Sequence, residues 1–156
     1  MSYILPTLAL TLALAGCARP KCCDLIDTSV YIRYASAQSR DWLRATNLKA
    51  NDMEVYAVCD GKKQRVYNAN YDAPKSLRLV REPDTARTVL QLYANDCGAS
   101  STTESVTLLE FPDHSVDTVA CRFDHRDGNI LCTSVRYNGQ LRWNGGNNGR
   151  VFTVVK

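Results

Sequence analysis

The sequence predicts an all-β domain, an antiparallel β-sandwich of the immunoglobulin-like or a related type with about eight strands. Three observations support this. Apolar and polar residues alternate along short runs from residue 28 to the end of the chain. Turn-forming residues separate these runs at sandwich-like spacing. Strands and helices do not alternate, which argues against a doubly wound sheet. A closed β-barrel is the alternative, because it needs the same alternation.

The first predicted strand, 28–34, shows the pattern well. Its Val30, Ile32 and Tyr34 share one face, since side chains alternate sides along a strand. The later predicted strands cover 53–59, 64–67, 75–80, 88–93, 105–111, 115–123, 130–137, 140–143 and 150–155. The region 36–48 lacks the two-residue period and predicts at most a short helical turn around 40–43.

Tight turns are predicted where an Asx-Gly pair separates two strands. These pairs are Asp60-Gly61, Asp127-Gly128 and Asn138-Gly139. Both positions of such a pair tolerate the positive φ that two-residue hairpins require. Looser turns are predicted at 72–74, 96–98, 112–113 and 145–149.

The composition indicates one globular domain. The chain has 156 residues, of which 45% are hydrophobic and 22% charged, and this length suits a single core. The formal charge of +3, from 19 basic and 16 acidic residues, is too small to indicate a nucleic-acid partner. No nucleic acid is expected as a ligand.

The first sixteen residues predict an export signal. They contain no charged side chain, and the apolar run 3–15 is shorter than the ~20 residues that a membrane-spanning helix needs. Small residues follow it, as in secretory signal peptides. Ala13-Leu14-Ala15 would suit ordinary signal peptidase.

Leu14-Ala15-Gly16-Cys17 resembles the lipobox of bacterial lipoproteins. In that family the cysteine thiol takes a diacylglycerol, the chain is cut before it, and the new amino group is acylated. The resemblance implies a signal peptide at 1–16 and lipid on Cys17. The charged, proline-containing segment that follows predicts a tether at 17–27, and the strand pattern predicts one domain at 28–156. Several acyl chains hold a protein stably on a bilayer. We expect anchoring to a bacterial membrane, the outer in preference to the inner.

Six further cysteines predict disulfides. An even number in an exported chain suggests up to three bridges. Buried free thiols are an alternative; a metal site is disfavoured because the spaced pairs typical of zinc ligands are missing. No metal ligand is therefore assigned. The six are Cys22, Cys23, Cys59, Cys97, Cys121 and Cys132.

One disulfide, Cys121–Cys132, is suggested by local geometry. With a two-residue turn at Asp127-Gly128, Phe123 lies opposite Cys132 and Cys121 lies opposite Ser134, so the two cysteines are diagonal on one face. A turn one residue earlier would set them directly opposite each other. The alternatives connect Cys22 or Cys23 to Cys59 or Cys97.

The sequence indicates no catalytic residue and no cofactor. His114 and His125 each follow an aspartate, but adjacent side chains in an extended chain point opposite ways. No nucleophile motif accompanies them, so solvated loop positions are expected. The segment 124–129 carries oxygen ligands without the spacing of a calcium loop, and a hairpin turn explains it. We expect a protein that is not an enzyme.

A surplus of aromatic residues on or near strands indicates a possible binding face. Such residues bind partners when exposed, but cross-strand aromatic pairs in an ordinary sheet are the favoured explanation. The aromatic residues are Tyr56, Tyr67, Tyr71, Tyr137 and Trp143.

The body of the chain resembles small uncharacterised β-rich lipoproteins of Bacteroidetes-type bacteria. The resemblance lies in Val30-Tyr-Ile-Arg-Tyr34, Ser39-Arg-Asp-Trp-Leu43, Asp60-Gly-Lys62, Asp117-Thr-Val119, Tyr137-Asn-Gly-Gln-Leu141 and a terminal Val151-Phe-Thr-Val-Val-Lys156. It implies a β-rich lipoprotein and brings no activity with it. Because the sequence also lacks a catalytic motif, we expect a non-enzymatic lipoprotein of the cell envelope with a structural or binding role. The expected partners are the membrane, through the lipid, and an envelope protein or glycan.

Two short segments are similar to periplasmic lysozyme inhibitors. Val58-Cys-Asp-Gly61 matches an early Cys-Asp-Gly, and Arg136-Tyr-Asn-Gly-Gln-Leu-Arg-Trp143 matches a later Tyr-Asn-Gly…Trp stretch. The resemblance implies an alternative function, inhibition of a lysozyme-like cell-wall hydrolase.

Overall fold

The computed structural model describes residues 25–146 and 150–156, and these residues form an all-β sandwich. The predicted signal peptide and most of the predicted tether lie outside them. The strands are β1 (Ile26–Asp27), β2 (Ser29–Ala35), β3 (Glu54–Cys59), β4 (Lys62–Arg65), β5 (Leu77–Arg81), β6 (Thr88–Tyr93), β7 (Ser105–Glu110), β8 (Val116–Arg126), β9 (Asn129–Tyr137), β10 (Gln140–Trp143) and β11 (Val151–Val155). The predicted all-β class is confirmed.

The strands form two mixed sheets. The larger sheet has the order β1-β9-β8-β7-β3-β4, with β10 also paired to β9, and the smaller has the order β11-β2-β6-β5. In the described residues each sheet keeps two open edges, so they form a sandwich and not a closed barrel. Most strand pairs are antiparallel, as predicted, and two edge pairs are parallel, β1 with β9 and β11 with β2. These strands reach their partners through long connections, so no hairpin dictates their direction.

The three predicted Asx-Gly turns are confirmed. Asp60-Gly61, Asp127-Gly128 and Asn138-Gly139 each connect two paired strands through a two-residue loop. Both residues of every pair have positive φ, for example 55° and 83° at Asp127-Gly128. This geometry gives the turn the same twist as the strands that it joins.

The core lies between the sheets and follows the predicted alternation. Val30, Ile32 and Tyr34 of β2 are at most 1% exposed. The facing sheet contributes buried side chains including Val55, Leu109, Val119, Phe123 and Val135. Burial of these apolar surfaces is the main stabilising contribution to the fold.

The predicted helical turn is also present, as α1 (Trp42–Ala45). The carboxylate of Asp41 caps it by accepting from the Arg44 amide at 3.1 Å, and its other oxygen accepts from the Thr88 amide at 2.9 Å. The cap therefore also fastens the helix to β6. A short 3₁₀ turn follows at Ala50–Asp52. None of the described helices has the length and apolar character needed to cross a bilayer.

Residues 25–27, which the sequence assigns to the tether, belong to the larger sheet. The Leu25 amide donates to Asn129 Oδ1 at 2.8 Å, and the Ile130 amide donates to the Leu25 carbonyl at 2.8 Å. The Asp27 carboxylate forms an ion pair with Arg150 beside β11. This segment therefore contacts β9 in the larger sheet and Arg150, which precedes β11 in the smaller sheet.

Candidate binding groove

The loop between β4 and β5 folds back on itself and presents Tyr71. The Asn68 amide donates to the Pro74 carbonyl at 2.7 Å, and the Tyr71 amide donates to the Asn68 carbonyl at 3.2 Å. Asn68 Oδ1 accepts from the Asn70 amide at 3.0 Å, which is an Asx turn. These bonds close the loop while leaving Tyr71 64% exposed.

Lys75 anchors the same loop to the start of β3. Its Nζ donates to the carbonyls of Asn51 and Met53 at 2.8 and 2.9 Å, and to Glu54 Oε1 at 2.7 Å. Arg65 donates to both oxygens of Glu54 at 2.8 and 3.0 Å. The hydrogen bonds from Arg65 and then Lys75 lower the pKa of Glu54 to about 2, outweighing its partial burial.

The smaller sheet supplies the floor beside this loop. Arg78 of β5 lies next to the Tyr93 ring, with its guanidinium carbon 5.9 Å from the ring centroid. Its Nε donates to Gln91 Oε1 at 2.7 Å. The Gln91 amide nitrogen donates to Ser29 Oγ at 3.2 Å and to Tyr31 Oη at 3.1 Å. Gln91 is only 4% exposed, so a buried hydrogen-bond network fixes the position of the Arg78 side chain.

Loop and floor enclose a groove with two compartments. The first has a volume of about 480 Å³ and is lined by Asn70, Tyr71, Asp72, Ala73, Ser76, Arg78 and Tyr93. The second, of about 370 Å³, shares Tyr71, Ser76 and Tyr93 and continues between the sheets past Val55, Thr107 and Ile130. Cavities of this size suit small ligands.

Asn95 and a disulfide hold the wall of the second compartment. Asn95 Nδ2 donates to the Val106 carbonyl at 2.7 Å and to Thr107 Oγ1 at 2.9 Å. Asn95 Oδ1 accepts from the Cys97 amide at 3.0 Å. Cys97 is bonded to Cys59 at the end of β3. The wall is therefore linked both covalently and by hydrogen bonds to the larger sheet.

The arrangement favours binding over bond-making chemistry. Two tyrosine rings offer flat apolar faces, while Asn70, Asp72 and Arg78 offer acceptors and donors beside them. Aromatic rings provide large contact area at low conformational cost. The groove can therefore hold a polar ligand that also has an apolar face.

The predicted aromatic face is not one surface. Tyr56 lies under Lys63, Tyr137 is buried, Trp143 stacks with Arg150, and Tyr67 is exposed but does not line the groove. Tyr71 alone of the five predicted aromatic residues lines it. Tyr93 and Arg78 were missed, because their strands pair side by side only in the folded sheet.

The sequence-predicted cysteines divide into three groups. Cys17, Cys22 and Cys23 lie outside the described residues, so lipid attachment at Cys17 stays a prediction. The alternative connecting Cys22 or Cys23 to Cys59 or Cys97 is wrong, since the latter two are bonded to each other. The segments that carry Cys59 and Cys97 meet only in the folded protein, so no local sequence signal predicts that these two cysteines pair.

Cys121 and Cys132 are both buried, as unbonded thiols that contact each other. Phe123 pairs with Cys132 as predicted, but a bulge moves the partner of Cys121 from Ser134 to Val135. The hydrogen bond with Cys132, and then burial, raise the pKa of the Cys121 thiol; the same contact lowers that of Cys132. A bridge between them stays a prediction.

The two histidines lie apart in exposed positions. His114 sits in the turn after β7, with Nδ1 3.4 Å from Glu110 Oε1. His125 stacks on Phe123 near the end of β8, while the neighbouring Asp124 is an ion-pair partner of Arg126. Within residues 25–146 and 150–156, no three His, Cys, Asp or Glu side chains are grouped so that they could hold a metal ion.

A buried polar cluster at one end of the core was not predicted. Tyr137 donates to Asp117, which also accepts from Lys156 at 2.6 Å and Asn138 at 3.0 Å, and Tyr34 Oη is 3.1 Å from Tyr137 Oη. Burial raises the pKa of Asp117, but these hydrogen bonds outweigh it and hold the pKa below its usual value. Each member has a partner, which indicates a structural role.

The two segments similar to lysozyme inhibitors lie far apart. Asp60-Gly61 joins β3 to the edge strand β4, and Asn138-Gly139 joins β9 to β10 at the opposite edge. Five strand spacings of ~4.8 Å separate those edges by about 24 Å. The two segments therefore do not form one surface, and inhibition of a lysozyme-like hydrolase stays a prediction.

The chain matches no protein-family model, no curated protein and no solved structure.

Proposed function

We propose that the chain is an exported, lipid-anchored protein of the bacterial cell envelope that binds a glycan and does not act as an enzyme. The groove formed by Tyr71, Tyr93 and Arg78 is its proposed binding site. The observation that carries the proposal is the exposed Tyr71 ring, held beside Tyr93 in a cavity of about 480 Å³ with polar side chains along it.

A glycan suits this groove better than a protein surface does. Sugar rings carry an apolar C–H face, which packs on a tyrosine, and a rim of hydroxyls, which the side chains of Asn70, Asp72 and Arg78 can bind. A stable protein partner would need about 800 Å² of surface on each side. The groove is a local concavity of the size that holds a small ligand.

The proposed lipid would keep this groove near the membrane. Eight residue steps separate Cys17 from Leu25, which is hydrogen-bonded to β9. At ~3.5 Å per residue they span at most about 28 Å. A glycan layer next to the bilayer is therefore the ligand that such a tether would bring within reach.

Co-sedimentation with isolated cell-wall glycan tests the binding proposal. Replacing Tyr71 by Ala removes the exposed ring, and we expect affinity to fall about fivefold, the equivalent of ~1 kcal/mol of aromatic contact. Tyr67→Ala is the matched control, because Tyr67 is 60% exposed and outside the groove. Absence of binding by the wild type, or an equal loss in both variants, would contradict the proposal.

Labelling with radioactive palmitate and membrane fractionation test the anchor. Cys17→Ser should abolish both the label and the membrane association, because the thioether can no longer form. Cys22→Ser is the control and should retain both. A Cys17→Ser protein that stays labelled and membrane-bound would refute lipidation at that residue.

A further inference from the structure

Arg78 is a positioned cation that has no anionic partner among the described residues. In residues 25–146 and 150–156, no carboxylate lies within ion-pair distance of its guanidinium, whereas Arg33, Arg65 and Arg150 each pair with an acid. The one side-chain hydrogen bond that it makes to the described part of the chain uses Nε. The two terminal nitrogens therefore remain as donors on the side chain that lines the groove.

The support beneath Arg78 is built from buried groups. Gln91 donates to two hydroxyls and accepts from Arg78, so its amide is hydrogen-bonded on both its nitrogen and its oxygen. A buried amide that makes these bonds has one orientation available to it. The guanidinium is thereby held against the Tyr93 ring, before any ligand binds.

We propose that the groove takes an acidic saccharide, with a sugar ring against Tyr71 and Tyr93 and its carboxylate on the terminal nitrogens of Arg78. The planar guanidinium matches a carboxylate in a two-point contact. Asp72, exposed on the opposite loop, then accepts hydrogen bonds from sugar hydroxyls. The inference rests on the proposed glycan-binding function and names the chemical class of its ligand.

Titration calorimetry with two probes tests the inference on the full-length protein. The first probe is a hyaluronan tetrasaccharide, in which hexuronate alternates with a neutral sugar, and the second is its carboxyl-reduced form. We expect the acidic probe to bind at least about tenfold more tightly, the factor that one charge-assisted hydrogen-bonded contact supplies. This preference should shrink as salt screens the exposed charge.

Two arginine variants identify the side chain responsible. Arg78→Gln should abolish the tenfold preference, so that the acidic and the carboxyl-reduced probes bind with equal affinity. Arg81→Gln is the matched control, since Arg81 is an exposed arginine of the same strand that does not line the groove. It should keep the preference. Loss of the preference in both variants would indicate diffuse charge and overturn the assignment to Arg78.

The outcomes separate this inference from the proposed function. Equal binding of both probes, sensitive to Tyr71→Ala, would overturn the acidic ligand and leave glycan binding intact. Co-sedimentation with cell-wall glycan but no binding of either probe would do the same. Failure of both assays would overturn both proposals. A tetraglutamate peptide serves as the charge control, and if it binds as tightly as the acidic probe, the saccharide is the wrong class.

Discussion

Removal of the Cys59–Cys97 disulfide should destabilise the protein by about 4 kcal/mol. The bridge closes a loop with a sequence separation of 38 residues. In the chain-entropy account, a cross-link over that length removes about 13 cal/mol/K from the unfolded state, which is about 4 kcal/mol at room temperature. A typical domain has only about 5–15 kcal/mol to lose.

Urea unfolding of the Cys59→Ala, Cys97→Ala double variant measures this loss. Fluorescence of Trp42 can follow the transition, because that side chain packs against Tyr34 and Phe111 in the folded state. With a slope of about 1.5 kcal/mol/M, the urea midpoint should fall by about 2–3 M.

Reductant provides the internal control for this measurement. It should lower the midpoint of the wild type at least to that of the double variant. Any remaining sensitivity of the double variant to reductant would report a second bridge, with Cys121–Cys132 as the predicted one. A double variant within about 1 kcal/mol of the oxidised wild type would refute the entropic reasoning.

The same substitution should also affect the groove. The Cys97 amide donates a hydrogen bond to Asn95, and Asn95 is in turn hydrogen-bonded to Thr107 of the larger sheet. Asn95 and Thr107 both line the second compartment. Loss of the covalent link should therefore weaken glycan binding as well as stability. Binding by the folded double variant with unchanged affinity would show that Asn95 alone holds the wall.

Two further predictions concern pH and backbone conformation. Because Arg65 and Lys75 depress the pKa of Glu54 from 4.5 to about 2, its contribution to stability is complete above pH 4.5 and disappears as the pH falls through about 2. Glu54→Gln should therefore cost stability in urea unfolding at neutral pH and much less near pH 2; a constant cost would contradict the ion-pair account. Gly139→Ala should lower the free energy of unfolding by roughly 1–2 kcal/mol in the same assay, because the φ of Gly139 is +78°. Gly146→Ala is the control and should cost little, since the added methyl group meets open space at both positions. Equal effects of the two substitutions would exclude backbone strain as the cause.

Local signals account for most of what could be predicted of the fold. The alternation along 88–93 and 140–143 matches β6 and β10 residue for residue, and the Asx-Gly pairs correctly located the hairpins. Both signals act over neighbouring residues, so they can be identified in a single chain. The bulge between Arg122 and Phe123 is different, since nothing in the alternation distinguishes Thr133 as the extra residue of β9.

The candidate site depended on long-range pairing, and so the sequence could offer only parts of it. Tyr71 was one of five aromatic residues without a known arrangement. Its neighbours Tyr93 and Arg78 join it because β5 pairs with β6 and the preceding loop bends over both. The link between Cys59 and Cys97 likewise depends on the end of β3 meeting the turn that follows β6.

The sequence by itself determined the all-β class, the approximate strand limits and the tight turns, because alternation and turn chemistry are properties of adjacent residues. The tertiary structure alone decided the parallel edges, the order of strands in each sheet and the groove that holds Arg78 above Gln91. Those features result from the packing of two sheets around one core, where residues far apart in the chain compete for the same partners.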